Sequence, residues 1–463
     1  MKDYLIKNIN VVNERSIAVM DVLIKNGHIE KMAKAITLTN NVQEIDGEEK
    51  YLLPGVIDDQ VHFREPGLTH KASIYSESKA AVAGGVTSFM EMPNTVPNAL
   101  TIALLEDKYT IALQTSLANY SFFMGTANDN AEEVLKVNAF KKDICGVKIF
   151  MGSSTGNMLV DNYLTLDRIF RESEVLIATH CEDEKIIKAN YEKLKQSKPV
   201  LAASDHPVIR DEEACFESSF TAIQFAKKHN SRLHILHIST EKELQLFTNL
   251  IPLKDKRITC EVCVHHLHFD SSDYEQLGYL IKCNPAIKAK HNKEGLWKAL
   301  LDDRLDVIAT DHAPHTLQEK GYYRNEQTAL VKKNDITYEH AHAGLPLVQH
   351  PLLLMLHYYQ QGKISLEKIV EKMSHAVADC FNIKDRGYIR EGYWGDLVIV
   401  DINKPSKAEP GSILYKCGWS PLEGFTFPAT ITHTFVNGNL VYENYGNAKW
   451  DESNKGMRLS FNR

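Results

Sequence analysis

The sequence predicts an α/β protein: an eightfold β/α barrel of the TIM type with a small β-sandwich assembled from both ends of the chain. Three observations lead there. Both ends alternate short β-like runs around Asn-Gly turns, at Asn26-Gly27 and at Asn437-Gly438. Between them, short apolar runs alternate with longer helical patterns about eight times. The chain has 463 residues, 43% of them apolar, which exceeds one ordinary domain and supplies a sizeable core.

Taken in order, residues 1–53 carry "YLIKNINVV" and "DVLIKNGHIEKM", which read as hairpins and form one part of the sandwich. Residues 54–385 hold the barrel, its strands being "YLLPGVI", "VTSFMEM", "LANYSFFM", "GVKIFM", "VLIATH", "RLHILHI", "TCEVCVHH" and "DVIATDH". Segments such as "EEACFESSFTAIQFAKKHN" and "KEGLWKALLDD" supply helices between them. Residues 386–463 return to β alternation in "TITHTFVNGNLVYENY" and complete the sandwich.

Net charge is −7, and the lysines and arginines are dispersed, so neither a nucleic-acid nor a membrane surface is expected. A small-molecule partner fits better. No window approaches the ~18 apolar residues of a membrane span, and "MKDYLIKNINVVNERS" lacks a signal-peptide run, so a cytoplasmic protein is expected. Of eight scattered cysteines only Cys260 and Cys263 are close, without a second pair at zinc-finger spacing, so they read as reduced core thiols. A homodimer or higher oligomer is compatible with this sequence.

Polar residues punctuate the strand ends. His62 follows the first barrel run, Lys148 sits in "GVKIFM", His180 ends "VLIATH", His237 lies near the end of "LHILHIS", and Asp311 follows "VIAT". The C-terminal strand ends of a barrel converge on one mouth, so these five side chains are expected to meet there. Three imidazoles, a carboxylate and a lysine suit a divalent metal, zinc first. An ammonium is no ligand, but a buried lysine of depressed pKa is neutral. On strand alternation Asp58, Gln60, His62 and Arg64 share one face and Asp59 the other. A two-histidine clip would need His at 60, where glutamine stands.

These segments resemble the amidohydrolase superfamily, and within it the dihydroorotases related to allantoinase and dihydropyrimidinase. "DDQVHFREPG" looks like the first-strand motif, "MPNT" (92–95) like a substrate-binding turn and "HCED" (180–183) like the fifth-strand motif; "HILHIS", "VHHLHFD", "CNPAIK" and "DVIATDHAPHT" follow in order. The resemblance implies a carboxylated Lys148 that, with His180 and His237, holds an inner metal. It assigns His62 and Asp311 to an outer metal, and Asn94, Asn284 and His315 to substrate contacts. It also implies interconversion of dihydroorotate and N-carbamoyl-L-aspartate, with Asp311 as general base and acid. Ala286 and Lys288 depart from the family, which usually has a second proline and an arginine there.

Arg64 suits a bidentate grip on the substrate carboxylate that allantoin and dihydropyrimidine rings lack. Gln60 is a weaker donor than imidazole, and alternation turns Asp59 away, so one firm zinc and one weak one are expected. An active enzyme is the expectation. The alternatives are a catalytically impaired assembly subunit and an allantoinase or hydantoinase. His312, His265 and His266 read as structural or as supports of the ligands, and His70, His206, His291 and His357 as surface residues.

Overall fold

The computed structural model describes residues 2–38, 42–152, 158–326 and 328–463. The N-terminal part folds as β1 (Tyr4–Asn13), β2 (Ser16–Lys25), β3 (His28–Ala33), β4 (Gln43–Asp46) and β5 (Tyr51–Pro54). The β2–β3 turn is closed by Asn26 and Gly27, both at positive φ (51° and 85°), the pattern of a two-residue hairpin. Strand β5 pairs antiparallel with Leu397–Asp401 near the other end of the chain. Strands Thr430–Val436, Asn439–Asn444 and Ala448–Trp450 extend the same sheet, giving nine strands drawn from both ends. One face buries Ile6, Ile24, Leu52, Ile399 and Phe435 together. The two ends therefore build one continuous sheet.

The barrel strands follow: β6 (Val56–Val61), β7 (Val86–Glu91), β8 (Asn119–Phe122), β9 (Met124–Gly125), β10 (Gly146–Phe150), β11 (Leu176–His180), β12 (Leu233–Ile235), β13 (Ile258–Cys263) and β14 (Val307–Ala309). All neighbours are parallel, as β/α connections require. Strands β8 and β9 are one barrel strand interrupted at Phe123, so eight positions surround the axis. A parallel bridge between Val61 and His312, with His62 N–H donating to His312 O at 2.7 Å, joins the first position to the eighth.

Strand β6 does not alternate strictly. Its register against β7 shifts between Val56 and Ile57 and again between Asp58 and Val61. Asp59 consequently faces across the barrel rather than outward, and its Oδ2 lies 3.3 Å from His234 Nε2. This corrects the expectation that alternation turns Asp59 away. The side chain points inward and is fully buried, below the mouth.

Candidate active site

The strand ends deliver the polar residues as spacing requires. Gln60, His62, Arg64, Asn94, Lys148, His180, His237, Asn284, Asp311 and His315 all line one cavity of about 270 Å³. Three of them hold left-handed backbone: Arg64 (φ 69°), His237 (41°) and Asp311 (47°). Such conformations cost about 1–3 kcal/mol each for ordinary residues and collect where function fixes a side chain. Each of the three lies just past its strand.

His62 donates from Nδ1 to Asn94 Oδ1 at 2.7 Å. That fixes the tautomer, leaving the Nε2 lone pair aimed at Asp311 Oδ1, 3.2 Å away. Two acceptors facing one another at that distance need a cation or a proton between them. Gln60 also reaches this carboxylate, its Nε2 donating to Asp311 Oδ1 at 3.1 Å. Its Oε1 turns the other way, 3.8 Å from Cys263 Sγ.

On the other side of the cavity His180 Nδ1 and His237 Nε2 lie 2.9 Å apart. Burial lowers the pKa of both rings, so both are neutral donors of lone pairs. His180 Nε2 has no well-aligned hydrogen bond, although Glu182 Oε2 is 3.0 Å away. Lys148 is buried, takes no hydrogen bond among the described residues, and packs its Nζ 4.4 Å from the Phe150 ring centroid. Burial pushes its amine down to about 7, with Asp311 and Glu261 opposing. An amine that sheds its proton near pH 7, two imidazole lone pairs and a His-carboxylate pair on one cavity are a donor set that fits divalent metal.

Arg64 is buried, and burial lowers its guanidinium to about 10 against the pull of Asp311, which leaves it cationic at neutral pH. Its Nε donates to Pro314 O at 3.1 Å, and one terminal nitrogen lies 3.2 Å from His315 Nε2. His315 is hemmed in by Lys71 Nζ at 3.1 Å and Ala343 O at 3.0 Å. Asn284 Oδ1 accepts from His206 Nε2 at 3.0 Å.

His206 corrects the sequence reading. It is buried, and its Nδ1 meets Tyr338 Oη at 2.8 Å, so it supports Asn284 rather than facing solvent. Arg210 also lines the cavity and was missed; its guanidinium holds Glu182 of the "HCED" segment. Burial would raise Glu182, yet Arg210 and His180 hold it at about 2. Asp183, next in that segment, caps the helix Glu184–Ser197 by accepting from Lys185 N and Ile186 N. His312 turns away from the cavity, 2.8 Å from Glu77 Oε2, as a structural histidine. Beneath the mouth Asp59, His234 and Glu261 form a fully buried triad in which the two carboxylates raise His234 to about 9 despite its burial.

The sequence matches the amidohydrolase family over residues 51–441. Dihydroorotase from Methanosarcina acetivorans is 31% identical, over 97% of this chain and 94% of that protein. Dihydroorotase from Pyrococcus furiosus is 31% identical, over 91% and 88%. Among solved structures, L-hydantoinase (dihydropyrimidinase) from Arthrobacter aurescens superposes with a TM-score of 0.88 at 24% identity, covering 97% of this chain and 98% of that one. D-Hydantoinase from Thermus sp. gives 0.84 at 22% identity, covering 98% of each. The barrel, its attached sheet and the polar mouth thus stand together in a known fold, and the chain belongs to the amidohydrolase family, on the branch that holds the dihydroorotases.

Proposed function

We propose that this chain is a dihydroorotase that opens L-dihydroorotate to N-carbamoyl-L-aspartate and closes it again. The observation that carries this is Arg64, a buried cation on the wall of a cavity that also holds the metal-type donor set. A ring bearing a carboxylate offers that guanidinium a charged partner, and a neutral hydantoin or dihydropyrimidine ring does not.

The ion is a divalent metal, zinc by donor type. The residues that would hold it are Lys148 as its carbamate, His180 and His237 at the inner position, and His62 with Asp311 at the outer one, where Gln60 stands in place of an imidazole. The carbamate forms when the neutral Lys148 amine adds carbon dioxide and releases a proton. When bound, the metal supplies Lewis acidity toward water and the ring carbonyl. Asp311 takes the proton from the attacking water and returns it to the departing ring nitrogen. Asn94 keeps His62 in its tautomer, and Asn284 and His315 meet the ring and its carboxylate. The barrel, residues 54–385, carries this chemistry, and residues 1–53 and 386–463 support it; the setting is cytoplasmic pyrimidine synthesis.

The test is ring opening by metal-loaded protein, followed by ultraviolet absorbance, with L-dihydroorotate, allantoin and dihydrouracil as alternatives. Dihydroorotate should give the largest kcat/KM. Preference for either neutral ring would assign a hydantoinase or allantoinase, and no turnover of any of the three would leave an assembly subunit.

A further inference from the structure

Strand β13 ends at Cys263, and His265 and His266 open the short helix Val264–His268. These three offer ligand atoms that all lie within 4.8 Å of one another, and all three are buried. Their hydrogen bonding is incomplete. His266 Nε2 meets Pro285 O at 3.1 Å, but its Nδ1 has no partner. Neither ring nitrogen of His265 makes a well-aligned bond; the Thr310 backbone is a weak partner, and Asp311 and the His266 ring also lie near it. An unmade hydrogen bond at a buried polar atom costs about 1–3 kcal/mol, and here His266 Nδ1 and at least one ring nitrogen of His265 share one cluster.

The donor types agree with a single kind of occupant. Burial holds His265 and His266 neutral, so both present lone pairs rather than positive charge. The fourth neighbour is Gln60 Oε1, 3.8 Å from Cys263 Sγ. Gln60 lines the catalytic cavity, so its amide touches both that cavity and the cluster. Zn–S and Zn–N bonds of about 2.3 and 2.0–2.1 Å place neighbouring tetrahedral ligands roughly 3.5 Å apart. The present separations, up to 4.8 Å, exceed that spacing by at most about 1.3 Å.

We propose that Cys263, His265 and His266, with the Gln60 amide oxygen, form a second site for a thiophilic divalent cation beside the catalytic cavity. Binding replaces the thiol S–H bond by an S–metal bond and releases the proton to solvent. Glutamine at 60 then has a use: its oxygen faces sulfur, and its nitrogen faces Asp311. The inference stands apart from the dihydroorotase reading, because its readout is optical and needs no substrate.

The experiment loads metal-stripped full-length protein with cobalt(II) and records near-ultraviolet thiolate-to-cobalt charge transfer. The wild type should show the band, Cys181→Ser should keep it, and Cys263→Ser should lose it together with about one cobalt per chain. His265→Gln should weaken band formation at least tenfold, which keeps the idea testable if the cysteine variant fails to fold. Absence of the band in wild type, its survival in Cys263→Ser, or unchanged titration in His265→Gln would overturn the proposal.

Discussion

Replacing Arg64 with methionine keeps the unbranched stem of the buried side chain and removes the guanidinium with its charge. In the parent, Nε is committed to Pro314 O and one terminal nitrogen to His315, while the remaining terminal nitrogen takes no partner among the described residues. One or two charge-assisted hydrogen bonds are therefore left for a substrate carboxylate. Each is worth about 1.5–3 kcal/mol, and since the displaced water recovers part of that, about 2–4 kcal/mol is the expected loss in kcat/KM. At 1.36 kcal/mol per tenfold this is roughly 30- to 1000-fold. The loss should fall mainly on KM, because the carboxylate is held in ground and transition states alike. Metal content should stay at the parent value. The assay is dihydroorotate ring opening by absorbance, with dihydrouracil as a neutral control whose turnover does not fall. Unchanged kinetics with dihydroorotate would refute the carboxylate-anchor argument and the substrate assignment with it.

Lys148→Ala should abolish turnover and metal retention at the inner position, measured by elemental analysis, and a short carboxylic acid with added metal should restore part of the activity. Because burial pushes the Lys148 amine down to about 7, the neutral form that adds carbon dioxide gives way to ammonium below that value; bicarbonate-dependent metal uptake by stripped protein should rise through pH 6–8 and fail in mild acid, and a flat profile would contradict the carbamate. Gln60→His, made in a Cys263→Ser background so that only ions in the catalytic cavity are counted, should raise the metal count toward two and slow chelator extraction of the outer ion at least tenfold; two metals held with equal tenacity in the Cys263→Ser protein that keeps Gln60 would show that the amide is no handicap. Lys108→Met should lower stability in urea by about 3–5 kcal/mol, since it strands Glu91, which now pairs with Lys108 at 2.9 Å in a fully buried setting; a loss under 1 kcal/mol would mean that Glu91 is protonated when unpaired.

What could be read from the sequence follows the geometry of a parallel barrel. A strand of three to six residues has a definite end, and a histidine or aspartate at that end must face the mouth, so His62, His180, His237 and Asp311 were legible one by one. The hidden parts depend on contacts between distant segments. Asp59 escapes the alternation rule because its strand shifts register twice against its neighbour. His206 sits in the polar stretch "SDHPVIRD", and only the fold brings Tyr338 and Asn284 to its two nitrogens. Arg210 leaves a trace in the same stretch, an arginine after a helix-starting proline, but its partner Glu182 lies 28 residues earlier, and only the fold brings the two together. The open nitrogens of His265 and His266 cannot be read from sequence at all, since an unmade bond is a property of surroundings.

The sheet drawn from both ends has a consequence for synthesis on the ribosome. Strands β1 to β3 pair among themselves and can assemble as soon as they emerge. Strand β5 cannot complete its pairing then, because its antiparallel partner is Leu397–Asp401. Throughout translation of the barrel, Tyr51–Pro54 presents an unpaired edge, the kind of template that recruits strands from other chains. The last residues add a second delay: Leu459 N–H donates to Tyr120 O and Phe461 N–H to Lys142 O, tying the tail back onto the early barrel. A nascent chain stalled anywhere between these points carries a barrel without its fastening and an open edge beside it, which makes premature termination, more than point substitution, the event most prone to seed aggregation.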